Sequence, residues 1–404
     1  MPLSRPTVLR DELARALPVR PFRVAFWDGT TLEPDNGVPP LTTFRVRSPQ
    51  ALAHALLAPG QLGLGRAYVS GALDVDDLDA ALDIIDTWKP PALDARAKTR
   101  LAAAAVRAAG LTPLPKRPTA ELRPAGKRHS IVRDRRAVRH HYDVSNEYFA
   151  LFLDDSMTYS CAIFSRGAET LEEAQFTKRE LVCTKLGLQP GERLLDVGCG
   201  WGSFAVHAAL EHGVHVTGIT LSEPQAQRAR QRAQEAGVAD RVEFKVMDWR
   251  ELDVSEPFDA IASIGMVEHV GSVNIDNYAS CLYGLLRPGG RLLNHGIARL
   301  RHTDPEAGPF TERFVFPDAA PLHLSRVSFA LERAGVEITH VEGFRQDYAE
   351  TLRHWASRFD EHLPRAIELG GEERVRVWRL YLRTARRGFE SGFLSIFQVL
   401  GRRP

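Results

Sequence analysis

Leu194-Leu195-Asp196-Val197-Gly198-Cys199-Gly200-Trp201-Gly202 is an apolar strand that runs into a glycine-rich turn, and the helical stretch Ser203–Leu210 follows it. Glycines let backbone N–H groups come close to a ligand and take up positive φ, and a helix start adds uncompensated donors that favour a carboxylate or phosphate. The stretch therefore predicts a nucleotide-like cofactor at the end of the strand. By itself the glycine spacing equally fits a nicotinamide-binding Rossmann unit, or a tight strand-to-helix turn with no ligand. The next strand separates the cofactors, because a dinucleotide site needs an acid about 20 residues on for the ribose hydroxyls. Here Val214–Ile219 ends in Thr220-Leu221-Ser222, and the first carboxylate, Glu223, falls where the next helix begins. That argues against NAD.

Working outward, strand-like runs at Arg193–Val197, Val214–Ile219, Val242–Met247, Phe258–Ile264 and Arg291–Ile297 alternate with helical ones. Such alternation predicts an α/β fold with a doubly wound, Rossmann-like sheet. Upstream, residues 20 to 88 mix short strand-like pieces (Phe22–Trp27, Thr43–Val46) with helical ones (Pro49–Leu57, Leu78–Trp88) and hold no clustered catalytic side chains, which predicts a smaller α+β domain. Prolines at 90, 91, 113, 115, 118 and 124 punctuate the connection around an Ala-rich helix at Ala95–Ala109. The reading is a small domain over 1–94, a basic helical linker over 95–132 and a catalytic domain over 133–404.

Composition sets the limits. With 404 residues, 44% apolar and 25% charged, the chain is ordinary globular material long enough for two or three domains. No apolar run reaches the roughly 18 residues of a membrane span, and Met1–Arg10 has no signal-type apolar core, so the expectation is a cytoplasmic protein. Cys161, Cys183, Cys199 and Cys281 show no C-x-x-C pair and no metal-ligand spacing, which indicates neither disulfides nor a metal site. The net charge of +1 hides an asymmetry: from Arg96 to Arg139 bases recur throughout, among them Arg133, Arg135 and Arg136, against only Glu121 and Asp134. Such a run suits nucleic acid, anionic phospholipid headgroups or a merely solvated linker.

Dense motifs then narrow the class. They are His141-Tyr142-Asp143-Val144-Ser145-Asn146, Met157-Thr158-Tyr159-Ser160-Cys161-Ala162, the glycine turn, Thr220–Gln225, Met247-Asp248-Trp249, Gly265-Met266-Val267-Glu268-His269-Val270-Gly271 and Arg287-Pro288-Gly289-Gly290. In these the chain resembles the cyclopropane-fatty-acyl-phospholipid synthase family of S-adenosylmethionine-dependent lipid methyltransferases, which includes mycolic acid cyclopropane synthases and enzymes of methylene and methyl-branched fatty acids. The likeness is strongest from His140 to Ile297. It implies a lipid-associated N-terminal domain, peripheral attachment to the inner face of an anionic membrane, unsaturated phospholipid acyl chains as partners and no nucleic acid. Self-association into a homo-oligomer stays open. Asp318-Ala319-Ala320-Pro321 stands where the family commonly has a glycine pair followed later by Pro-Ser.

The reaction that the resemblance implies makes clear demands. A cis double bond is a feeble nucleophile that must attack a sulfonium methyl and become a carbocation, so water must be excluded, charge must be met by acids or aromatic faces, and one base must take a proton. Tyr142, Tyr148, Phe149, Phe152, Tyr159 and Phe164 crowd the segment before the glycine turn and offer such faces; Tyr142 and Tyr159 match family positions. The resemblance places bicarbonate, as proton acceptor, against Cys161, Glu268, His295, the Ile297 backbone and Tyr348. It places S-adenosylmethionine against Tyr159 and Ser160 at the methionine end, Gly198, Gly200 and Gly202 beneath, Thr220, Leu221 and Gln225 at the ribose and adenosine, and Trp249, Ile264 and Gly265 at the adenine. A thiol, an imidazole, a phenol and an amide can donate to a small oxyanion while a carboxylate orients its proton. Loss of a proton from the new methyl closes a cyclopropane, which is the expected product. A hydride shift instead gives a methylene branch, and a flavin- or NADPH-dependent reductase partner would then be required, because no second dinucleotide fingerprint is present.

Overall fold

The chain divides into two units, Met1–Leu122 with Gly371–Leu380, and Arg123–Gly370 with Tyr381–Pro404. The computed structural model describes residues 6–34, 37, 39–110, 113–122, 126, 128–142 (for 137–142 the backbone only), 145–252, 256–303 and 308–404.

In the first unit, α1 (Thr7–Ala16) precedes a four-stranded sheet of order β2-β1-β3-β4, built from β1 (Arg23–Ala25), β2 (Thr31–Leu32), β3 (Thr43–Val46) and β4 (Leu73–Val75). Helices α2 (Gln50–Leu57) and α3 (Gln61–Val69) connect β3 to β4, and α4 (Leu78–Thr87) and α5 (Ala95–Ala109) follow. The helix that the sequence reading put in a linker is α5. It is capped by Asp94, packs on α1 and α2, and buries Ala104 and Ala108 with Leu9, Phe22, Val24 and Ile84. Its alanines are small enough for close helix contact, while Arg96, Lys98, Arg100 and Arg107 stay exposed. Further along, Glu121 is buried and takes two bonds from Arg66, at 2.6 and 2.8 Å.

The second unit opens with α6 (Ile131–Tyr142), α7 (Asn146–Ala150) and α8 (Leu171–Leu186). The alternation expected from the sequence follows: β5 (Arg193–Val197), α9 (Ser203–His212), β6 (His215–Thr220), α10 (Glu223–Glu235), β7 (Val242–Val246), β8 (Phe258–Ile264), α11 (Val267–Val270), α12 (Ile275–Leu285) and β9 (Leu286–Arg299). Then come α13 (Pro309–Phe314), β10 (Leu322–His323), α14 (Leu324–Ala334), β11 (Glu337–Gly343), α15 (Arg345–Glu361), α16 (Leu363–Gly370), α17 (Glu372–Glu390), of which residues from Tyr381 on belong here, and β12 (Leu394–Arg402).

The sheet runs β11-β12-β9-β8-β5-β6-β7, with β10 beside β9. From β9 to β7 neighbours are parallel, as βαβ crossovers require, and Leu194, Leu195 and Val197 of β5 are fully buried because helices cover both faces. The sequence reading missed the antiparallel edge, where β12 inserts between β9 and β11. Strand order reverses between β5 and β8, and ligands of such sheets bind where carboxyl ends part at that switch point. No described helix is long and apolar enough to cross a membrane.

Candidate active site

A cleft of about 1080 Å³ opens at that switch point. Tyr159, Ser160, Gly198, Gly200, Thr220, Leu221, Gln225, Trp249, Ile264 and Gly265 all line it. Gly202 does not. It is the left-handed cap of α9 (φ 79°), and a Cβ there would sit 2.8 Å from both Ala229 and the Phe244 ring, so its glycine serves the turn and the packing of α9 on the sheet. Gly198 takes φ 82°, which turns the chain out of β5 and presents backbone to the cleft. Thr220 donates to Gln225 Oε1 at 2.8 Å, holding the amide at the start of α10. Trp249 meets Tyr278 edge-on with centroids 5.3 Å apart, and Arg250 lies over the indole while gripping buried Asp248. The Tyr142 side chain lies outside the described residues.

Two lining residues were not singled out from sequence. Asp196, at the end of β5, is buried with Oδ2 unbonded among the described residues, and burial, opposed by Lys178, pushes its carboxyl up to about 7. Lys178 of α8 is also buried, donates to Ser160 Oγ at 3.0 Å, and is pushed down to about 8 by burial and by Arg179. An unbonded carboxylate oxygen suits an amine or hydroxyl of a ligand. The sequence signal for Lys178 was weak because a lysine on a helix normally reads as solvent-facing.

The second set of residues gathers around β9 and α11. Glu268 is buried, and its Oε1 accepts the Ile297 N–H at 2.8 Å while Oε2 has no partner among the described residues. The Ile297 amide, expected to hold an oxyanion, is thus committed to Glu268, because α11 lies close enough for the side chain to reach the strand. The close approach is set by Gly296, where a Cβ would fall on Val267 Cγ1. Burial pushes Glu268 up to about 7, against the pull of the Ile297 amide. His295 shares a face of β9 with Ile297 and is fully buried. Its Nδ1 faces Gln398 Nε2 at 3.4 Å, and Lys185 fixes that amide by donating to Gln398 Oε1 at 2.6 Å. The proton of His295 therefore resides on Nε2, which has no partner among the described residues. Burial, with Lys178 and Lys185, holds the imidazole well below its ordinary value, hence neutral.

Cys161 meets this set through Phe344, and Tyr348 lies one turn on from Phe344 in α15. The Phe344 carbonyl lies 3.8 Å from the Cys161 thiol and accepts the Tyr348 N–H at 3.1 Å, and its ring lies 6.1 Å from His295. Burial, then Asp347, pushes the Cys161 thiol well up, so it stays protonated. Helix α15 anchors the segment: Asp347 accepts the N–H groups of Phe164 and Ser165 at 2.7 Å, and Thr351 that of Ala162 at 3.0 Å. The aromatic crowding also holds in space. Phe149, Phe152 and Tyr159 pack mutually at 5.5–6.3 Å, Tyr159 stacks on Trp355 at 5.1 Å, and Phe359 meets Tyr148 and Phe152. Trp355 and Phe359, far along the chain, were not foreseen. Phe164 stacks instead on His354.

The departing stretch Asp318–Pro321 packs against α11, since Ala320 N–H bonds the Glu268 carbonyl at 2.8 Å. Asp318 takes Arg133 at 2.5 and 2.8 Å and Arg128 at 2.9 Å. Burial alone would raise its carboxyl, but the two guanidiniums bring it down. Arg133 is thereby used internally, whereas Arg135 pairs with Glu251 at the surface and Arg136 is exposed.

Sheet, switch point and glycine-turned cleft define the class: this is an S-adenosylmethionine-dependent methyltransferase. Residues 129–399 match the mycolic acid cyclopropane synthetase family, and the chain belongs to it. It is 37% identical over 390 residues to a probable fatty acid methyltransferase of Pseudomonas putida, covering 95% of this chain and 92% of that one. Identity to the cyclopropane-fatty-acyl-phospholipid synthase of Escherichia coli is 31% over 369 residues, with 90% and 88% covered. Among solved structures, mycolic acid cyclopropane synthase CmaA1 complexed with S-adenosylhomocysteine and CTAB superposes with a TM-score of 0.63 at 33% identity, covering 67% of this chain and 98% of that one.

Proposed function

We propose that the protein transfers the methyl carbon of S-adenosylmethionine to the cis double bond of an unsaturated phospholipid acyl chain and forms a cyclopropane ring, with bicarbonate as proton acceptor. The names of the relatives support a lipid acceptor. The observation that carries the proposal is the pair of buried atoms, His295 Nε2 and Glu268 Oε2, that have no partner among the described residues. One is a donor by its tautomer and the other an acceptor, and an ion bearing both oxyanion and hydroxyl satisfies both. When bound, bicarbonate supplies the base that takes the proton from the alkylated chain, and S-adenosylmethionine supplies the methyl group.

The residues of this chain divide the remaining work. His295 Nε2–H holds the anion and Glu268 Oε2 fixes its hydroxyl proton, while the Cys161 thiol, which bonds the Ala162 carbonyl at 3.2 Å, would turn to the anion together with the Tyr348 hydroxyl. Tyr159 faces the cleft, backed by Trp355, Phe149 and Phe152, and this apolar, π-rich wall keeps water from a cation and meets its charge. Asp196 and Ser160 orient the methionine end of the donor, and Trp249 gives the adenine a face. Arg96, Lys98 and Arg107 of α5 are among the exposed bases left to meet anionic headgroups.

Purified protein, S-adenosylmethionine and unsaturated phospholipid vesicles, with and without bicarbonate, test this by mass spectrometry with double-bond localisation. A gain of about 14 daltons as a saturated ring, lost when bicarbonate is removed, is expected. The same gain with an exocyclic double bond would replace ring closure by methylene formation, and unchanged turnover without bicarbonate would reject the anion.

A further inference from the structure

On the far side of α8 from the reaction centre lies a group of side chains the chemistry above does not use. Helices α8 and α9 pack together. Cys183 and, one turn earlier, Glu180 face His207 and His212 of α9. One donor atom each of Cys183, His207 and His212 lies within 4.8 Å of the other two. Glu180 Oε1 lies 2.7 Å from His207 Nε2 and 3.0 Å from His212 Nε2. Cys183 and His207 are buried, whereas His212 and Glu180 are partly open, which leaves a way in from solvent. None of the four lines the cofactor cleft.

We propose that Cys183, His207, His212 and Glu180 bind one divalent transition-metal ion of the zinc class, clamping α8 to α9. A thiolate, two imidazoles and a carboxylate form a borderline-soft donor set that suits zinc or cobalt and not calcium or magnesium, which prefer oxygens alone. Bonds of about 2.0–2.3 Å place the donors of a tetrahedral site about 3.3–3.7 Å apart, so the site closes by side-chain movements of about 1 Å with the helices in place. On binding, the Cys183 S–H bond breaks, its proton leaves to solvent and a sulfur–metal bond forms. Each neutral imidazole gives one ring-nitrogen lone pair and keeps its single proton on the other nitrogen, and the Glu180 carboxylate takes the fourth position. The spacing is invisible in sequence because each helix supplies only half of the set. The clamp joins the helix that carries Lys178 to the helix that follows the glycine turn, so its effect is on stability rather than on the reacting atoms.

The test uses the full chain, stripped with chelator and titrated with Co²⁺. One equivalent and a thiolate-to-cobalt charge-transfer band are expected, with displacement by Zn²⁺ and a rise in Tm. Cys183→Ser abolishes the band, and His212→Asn, at a partly exposed position, weakens Zn²⁺ binding at least about tenfold while methyl transfer persists in both. If Cys183→Ser does not fold, His212→Asn alone carries the comparison. No band with excess Co²⁺ in the unaltered protein overturns the proposal. So does a band and affinity undiminished in His212→Asn, because the ion then sits elsewhere, for instance at Cys199 in the cleft.

Discussion

Replacing Glu268 with Gln separates activity from stability. In the folded protein the Glu268 carboxyl is pushed up to about 7 from an ordinary 4.5, burial being the main cause. For a group with a raised folded value, the stabilisation is fully present below 4.5 and is lost as pH climbs through about 7. At 1.36 kcal/mol for each pH unit of difference, the complete loss is about 3 kcal/mol, of which about 2 to 3 kcal/mol falls between pH 5 and pH 8.5. Glutamine cannot ionise, and its carbonyl oxygen still accepts the Ile297 N–H. The variant therefore gains on the unaltered protein as pH rises, while methyl transfer falls because no carboxylate orients the proton acceptor. Asp196 is also raised to about 7, but it is present in both proteins and cancels. Urea unfolding of both in bicarbonate-free buffer at pH 5 and 8.5 reads the difference. A gap between the proteins that stays the same at both pH values would show that Glu268 is not buried as a strained carboxylate.

Further outcomes follow from the same contacts. The rate of methyl transfer should rise through about pH 7 as Glu268 ionises, and that limb should weaken in the residual activity of Glu268→Gln, where Asp196 still titrates in that range; an identical profile would remove Glu268 from the proton step. Gly296→Ala forces Val267 away and parts Glu268 from Ile297, so kcat should drop by at least about tenfold (about 1.4 kcal/mol) with a smaller change in KM for S-adenosylmethionine. Trp249→Ala should weaken S-adenosylhomocysteine binding about tenfold by calorimetry, and unaltered affinity would place the adenine elsewhere. Arg133→Ala leaves buried Asp318 with only the exposed Arg128 and should cost about 2 kcal/mol in urea unfolding, against less than about 1 kcal/mol for Arg128→Ala.

How much of this was legible beforehand depended on whether the signal is local. The bounds of β5 and β8 read directly from sequence because strands buried on both faces are continuous apolar runs, and the glycine turn and Thr220–Gln225 pointed to the cleft they line. Lys178 and Asp196 were passed over, one as a helix-surface base and the other as part of a strand motif. Trp355 and Phe359 reach the aromatic cluster from α15, and no periodicity near Tyr159 announces them. The commitment of the Ile297 amide to Glu268 depends on a close approach that only the packing at Gly296 reveals. The basic run was read by charge alone, which cannot tell Arg133, spent on Asp318, from Arg96 in solvent.

The late insertion of β12 beside β9 sets an order on synthesis. A chain emerging from the ribosome has β5 through β9 available to form the parallel part of the sheet and its cleft long before residue 394 is made. Gln398, which orients the His295 imidazole, is translated 103 residues after it. The nascent protein thus acquires a place for the methyl donor first and a tuned histidine only afterwards, so the cleft forms well before the machinery that handles the proton.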